Sequence, residues 1–255
     1  GDTLAMREAI FERSEMHQDF DAILTFDYEN LDTDIEKTAQ QLQKMLQDCG
    51  LTADKRLTVV AHSTGGLLSR WWIEKEQGAA YVQKLIQLGT PNGGSEIASF
   101  RQKIATLLTL GINAVERFKP YLAPLSFLSG GLGKRGFKTL NQLHQGSEFL
   151  QRLNSGSAPE VPYYLLAGDT SRTEALFAED DPLWKKIWHC LKDRRLYILA
   201  EEIIFDEKPN DLAVRLESMK ALPWEHQRVL EPQCDHFSYF SNAESLKMLK
   251  EVIAE

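Results

Sequence analysis

The stretch Leu57-Thr-Val-Val-Ala-His-Ser-Thr-Gly-Gly-Leu-Leu68 constrains the fold more than any other part of the chain. Leu57–Ala61 is a short apolar, β-branched run of the kind that forms a buried strand, and a helical pattern runs from about Gly66 to Glu76. Only a few small residues separate the two, so the strand must pass into the helix through a tight turn. The alternation recurs. Strands are expected at Ala22–Phe26, Leu85–Leu88, Tyr163–Ala167, Leu196–Leu199 and Arg228–Leu230. Ile35, Ala39, Leu42, Leu46 and Cys49 line one face of a helix that opens on a Thr33/Glu36 capping box and ends at Gly50. A last helix, with a Ser241/Glu244 box, turns Leu246, Leu249 and Ile253 inward. Strands alternating with helices predict the α/β class with a mostly parallel sheet flanked by helices.

The 255 residues, 43% of them hydrophobic, fit a single domain over 1–255 with a sizeable core. Between Ser95 and Ser157 the pattern changes. Phe100, Ile104, Leu107 and Leu108 form a helical stripe, Val115, Phe118 and Leu122 continue it, and Gly130, Gly131, Gly133 and Gly136 interrupt it. We read 95–157 as a helical cap or lid inserted in the domain, with an ordinary packed subdomain as the alternative. Trp184 and Trp188 are assigned to the core.

With 29 Lys and Arg against 37 Asp and Glu, the formal charge is -8, which excludes a nucleic-acid footprint and disfavours an anionic membrane surface. Cys49, Cys190 and Cys234 are scattered and odd in number, which predicts free thiols in a reduced, cytoplasmic protein. Neither an apolar run long enough for a transmembrane segment nor a signal peptide is seen. No metal or organic cofactor is implied.

The turn at Ser63 carries the chemistry. A serine between a buried strand and a helix, flanked by tiny residues, has the pattern of a nucleophile elbow. A positive φ at the serine lifts its hydroxyl clear of the sheet, and bulk two residues to either side would collide with backbone. Ala61 and Gly65 hold those positions, Gly66 lets the helix approach, and His62 supports the bend. The Thr64 N–H opens the helix and is aimed at an oxyanion. The alternative is a Ser-Thr-Gly turn that only caps a helix.

A base is expected later in the chain, since the order in such folds is serine, acid, histidine. His144, His189, His226 and His236 qualify by position, and His236 stands in a loop between the last strand and the last helix. For the acid, Asp211 in Lys-Pro-Asn-Asp-Leu-Ala-Val214, Asp169 and Asp206 are the candidates, each of which could equally be a turn or cap residue. Asp235 adjoins His236, and adjacent side chains diverge.

These segments resemble an α/β-hydrolase of the lipase/esterase type. Leu88-Gly-Thr-Pro-Asn-Gly-Gly-Ser95 is similar to the loop after which many lipases begin their lid, and Gly146–Asn154 with Val161–Gly168 is similar to the return to the sheet. The resemblance implies a Ser63–His236–Asp211 triad, an acyl-enzyme, and a small ester or lipid substrate. It departs at the front. The family's oxyanion loop and a central strand, between those expected at 22–26 and 57–61, have no counterpart. Polypeptide outside this chain is therefore expected to complete the sheet and the oxyanion hole. A catalytically weak interaction or regulatory module of a larger protein, and serine chemistry on thioesters or peptides, are the alternatives.

Overall fold

The computed structural model describes residues 3–9, 20–28, 33–52, 56–95, 138–172, 208–211, 213–224, 227–236 and 238–255. Within them four strands form one sheet in the order β1-β2-β3-β4: β1 is Leu57–His62, β2 Val82–Leu88, β3 Tyr163–Leu166 and β4 Gln227–Leu230. Every neighbouring pair is parallel. The register runs His62 to Leu88, Leu88 to Leu166 and Leu166 to Leu230, so all four strands end level. Whatever follows each strand therefore meets at one rim, the place where open parallel sheets carry their sites.

Helices α1 (Leu4–Glu8), α2 (Ile35–Asp48), α3 (Thr64–Lys75), α4 (Lys138–Gln142), α5 (Glu148–Asn154), α6 (Leu216–Met219) and α7 (Ala243–Ala254), with short 3-10 turns at Gly78–Ala80 and Thr170–Arg172, complete the described elements. Side chains alternate across the strands and build a core on each face. Leu85 and Tyr163 join Leu67, Trp71, Trp72 and Phe149 from α3 and α5, whereas Ile86, Leu88 and Leu166 join Tyr239, Leu249, Val252 and Ile253. Full burial of each such aliphatic side chain is worth about 1.5–3 kcal/mol. Buried Lys84 donates to the carbonyls of Val252 and Ile253 at 3.0 and 3.1 Å, closing the C-terminal end of α7 with a cation.

Three expectations are corrected. Ala22–Phe26 is not a strand, and Leu24 is 62% exposed. An extended run becomes a strand only when a neighbour takes its backbone hydrogen bonds, and no described residue does. The helix starts are also shifted. Asp34, not Thr33, precedes α2, and its side chain makes no capping bond. The Ile35 N–H donates instead to Gln142 Oε1 at 2.9 Å, and Glu36 accepts from Gln142 and Arg152, so contacts with α4 and α5 replace the local box. At α7 the cap is Asn242, whose side chain accepts from the Ser245 N–H at 3.0 Å, while Glu244 turns to the Gln233 N–H. The stripe from 100 to 122, the glycine cluster, Trp184, Trp188 and the strand expected at 196–199 lie outside the described residues. The two ends of the expected insertion do meet. Ser95 N–H donates to Leu143 O at 2.7 Å, and Ser95 pairs with His144 in a β-bridge. Among the described residues no helix is long and apolar enough to cross a membrane.

Candidate active site

The end of β1 delivers Ser63 at φ 55 and ψ -130, the one positive φ at a described residue other than glycine. That conformation is unfavourable for an L-residue and persists only when its surroundings enforce it. Here the Ser63 N–H donates to Leu88 O at 2.9 Å and its carbonyl accepts from the Gly66 N–H at 3.0 Å, tying the bend to the end of β2 and to α3. Thr64 is the first residue of α3, so its N–H has no acceptor within the helix.

The two glycines of the elbow differ. A Cβ at Gly66 would lie 1.9 Å from Thr90 Oγ1 and 2.6 Å from its Cγ2, so glycine lets α3 press against the loop after β2. A Cβ at Gly65 would meet only the Tyr28 hydroxyl, at an ordinary 3.6 Å. The expected crowding thus falls on Gly66 and not on Gly65. Ala61 is buried. A polar chain holds the helix in place. Gln87 Nε2 donates to Gly66 O at 3.1 Å, Asn92 Nδ2 to Gln87 Oε1 at 3.0 Å, and Arg70, ion-paired with Glu74, to Asn92 Oδ1 at 3.2 Å.

Across the rim, His236 Nδ1 lies 2.8 Å from Asp211 Oδ2, with the two residues 7% and 0% exposed. Asp211 Oδ1 accepts from the Ala213 and Val214 N–H groups at 3.0 and 2.8 Å, and its backbone carbonyl accepts from the His236 N–H at 2.7 Å. A carboxylate with both oxygens engaged and acceptor-only chemistry fixes the Nδ1–H tautomer and leaves Nε2 with a lone pair. Burial alone would lower the His236 pKa; the charge and hydrogen bond of Asp211, with Asp235 adding to them, outweigh it and raise the pKa above its ordinary value.

His62 faces His236. Its ring centroid is 4.6 Å from that of His236, and its Nε2 is 2.9 Å from the His236 carbonyl oxygen. Burial first, then the neighbouring imidazole, push His62 down to about 3. It is neutral at physiological pH, so Nε2–H donates to that carbonyl, and the residue before Ser63 grips the loop carrying His236. Among the other candidates, Asp169 is buried and its Oδ1 accepts from the Ser171 N–H and hydroxyl at 2.9 and 2.6 Å. Asp235 accepts from the Ser238 hydroxyl at 2.8 Å, and His144 is exposed in the bridge to Ser95. His189, His226 and Asp206 lie outside the described residues.

Two contributors escaped the sequence reading. Gly89, at φ 60, follows β2 directly beneath the pair; a Cβ there would lie 2.8 Å from Asp211 Oδ2 and 3.0 Å from His236 Nδ1. A glycine directly after a buried strand was the available signal. Tyr239 donates its hydroxyl proton to Asp211 Oδ2 at 3.1 Å, and nothing local marks it for that. No group of three or more His, Cys, Asp and Glu side chains is arranged to hold a metal ion among the described residues.

Comparison with solved structures gives the fold. The mature form of the Bacillus licheniformis lipase BlEst2 is matched over 96% of this chain and 86% of that one, at 20% identity and a TM-score of 0.52. Phospholipase PlaB from Legionella pneumophila is matched at 20% identity and a TM-score of 0.52, over 86% of this chain but 43% of PlaB. A carboxylesterase structure from the Thaumarchaeon Nitrososphaera gargenis is matched over 100% of this chain and 86% of that one, at 13% identity and a TM-score of 0.50. The chain spans less than half of PlaB and of BlEst2 in its propeptide form. No curated protein matches the chain. The parallel sheet and these likenesses give the chain an α/β-hydrolase fold. The family described as "Domain of unknown function (DUF7379)" matches residues 5–254, and the chain belongs to that family.

Proposed function

We propose that this chain is a serine hydrolase of carboxylic esters, working through Ser63, His236 and Asp211. One observation carries the reading: a buried Asp211–His236 pair at 2.8 Å whose imidazole packs on His62, the neighbour of a serine held at φ 55. His236 Nε2 takes the Ser63 hydroxyl proton as Oγ attacks the ester carbonyl. The Thr64 N–H stabilises the developing oxyanion, and Asp211 stabilises the imidazolium. The C–O bond to the alcohol then breaks, the alkoxide leaves with the proton from His236, and Ser63 is acylated. Water, deprotonated by His236, hydrolyses the acyl-enzyme and restores the serine.

The likeness to lipases and to a phospholipase supports an apolar acyl group. Residues 95–157 are proposed as the cap over that group, which the meeting of Ser95 with Leu143 and His144 supports. A reduced, cytoplasmic setting is proposed from free Cys49 and Cys234. Polypeptide outside this chain is proposed to pair with β1 and to bring a second oxyanion donor. β1 makes its one strand pairing among the described residues with β2, and Leu57, Val59 and Val60 beside that open edge are half-buried apolar side chains.

A fluorophosphonate probe tests the chemistry. The wild-type chain should be labelled at Ser63, and Ser63→Ala should lose labelling and ester turnover, a fall on the order of 10⁶ in rate. Equal labelling of the two would refute the nucleophile. An unlabelled wild type, folded by circular dichroism, would favour the interaction-module alternative, and a panel of esters, thioesters and peptides separates the leaving groups.

A further inference from the structure

Tyr239 is wholly buried in the turn between His236 and α7, among Ile86, Leu88, Leu166 and Leu249, where a phenylalanine would satisfy the apolar packing. Its hydroxyl is nevertheless bonded on both sides. It accepts from the Gly168 N–H at 2.7 Å, just beyond β3, and donates to Asp211 Oδ2 at 3.1 Å. Met219 Sδ, at 3.6 Å, is the other acceptor in reach, but a thioether cannot compete with a carboxylate for the single phenolic proton. The Gly168 N–H occupies the acceptor side of the phenol, so its proton is committed toward Asp211.

That bond falls on the oxygen that also faces His236 Nδ1. Asp211 Oδ1 is served by two backbone N–H groups, and Oδ2 by the imidazole and the phenol. We propose that Tyr239 is a positioning residue for the acid: its hydroxyl pins Asp211 Oδ2 to the end of β3 and draws charge from the oxygen that steadies the base. The role in turnover rests on the triad reading above, but the coupling from Tyr239 through Asp211 to His236 does not require Ser63 to react. Glycines at both flanks leave room for the arrangement. A Cβ at Gly89 would come within 2.9 Å of the Tyr239 ring, and one at Gly168 within 2.8 Å of its hydroxyl.

The ionisable groups around the pair are Asp235, turned to the Ser238 hydroxyl, His62, pushed down to about 3, and the Cys234 thiol, which burial raises. In the range where His236 titrates His62 and Cys234 do not change charge, so a shift caused at Tyr239 can be read cleanly.

The test is a ¹⁵N NMR titration of His236 in the wild-type chain, in Tyr239→Phe, and with 3-fluorotyrosine placed at 239, beside the pH dependence of fluorophosphonate labelling. Without the hydroxyl, Oδ2 keeps more charge for the imidazolium. Y239F should therefore raise the His236 titration midpoint, and the acid limb of labelling, by about half a pH unit, with a labelling plateau about tenfold lower. Fluorotyrosine, a stronger donor of nearly the same shape, should move both midpoints down. Superimposed midpoints in all three proteins, even with a lower melting temperature for Y239F, overturn the proposal, because a packing role would not touch the titration. If Y239F does not fold, the fluorotyrosine arm decides alone. If the midpoints shift while the wild type is never labelled, the coupling stands and the Ser63 reading fails.

Discussion

β1, which delivers the serine, has five of its six residues only half-buried, while β2 beside it has six of seven fully buried. Asp211 and His236, both buried, resemble β2 in this respect. The Asp211 carboxylate accepts four hydrogen bonds, from Ala213, Val214, His236 and Tyr239, and the cluster meets β1 through the contact of His236 with His62. The other outer strand, β4, is made to be an edge, with Arg228 exposed and ion-paired to Glu255. β1 has Leu57, Val59, Val60 and Ala61 on both faces and no charged residue, the composition of an interior strand. The comparison teaches that, among the described residues, the Asp211–His236 half of the site is enclosed, while β1, which carries Ser63, is paired on the side facing β2 alone.

The sharpest way to probe the enclosed half is Asp211→Asn. It preserves shape, but the amide no longer enforces the Nδ1–H tautomer, so kcat/KM should fall by about 10⁴ with the fold retained. A loss below tenfold, measured with circular dichroism unchanged, would mean that the buried pair is structural and not the base. The open half should answer in the opposite sense. If polypeptide outside this chain pairs with β1 as proposed and brings one oxyanion donor, supplying it should raise turnover by about 10²–10³. Hydrogen exchange gives a check that needs no activity. In this chain alone the β1 amides not bonded to β2 should exchange far faster than those of β2, and the added polypeptide should protect them. Equal protection of β1 and β2 in this chain would erase the contrast.

The same division explains what the sequence disclosed. The elbow was legible because it is local. A buried strand, a helix and small residues between them leave the chain one way to turn, and Ser63 takes it. His236 was placed by position along the chain. Asp211 could not be separated from Asp169 by composition, since both sit in turn-forming surroundings, and only the packing of distant segments brings one of them to the imidazole. Gly89 and Tyr239 were invisible for the same reason: their partners lie in other loops. Helix starts misled by one residue because Asp34 and Asn242 adjoin equally plausible caps, and tertiary bonds from Gln142 and Gln233 settle the choice. Ala22–Phe26 has strand-like composition, but composition cannot provide a neighbour to bond with.

The smallest expected effect concerns pH, and its two signs separate catalysis from stability. Asp211 raises the His236 pKa in the folded state, so the protonated form is favoured by folding. The stabilisation from this ion pair is fully present below the unfolded-state value, about 6.5, and is lost as pH rises through the folded-state pKa. Activity runs the other way, because only the neutral imidazole can accept the serine proton, and its acid limb should lie above pH 6.5. The melting-temperature difference between wild type and His236→Gln should therefore be largest near pH 6 and narrow toward pH 9, while wild-type labelling rises over the same interval. A difference that widens with pH would place His236 in the folded protein with a lowered pKa, and burial, not Asp211, would then govern the base.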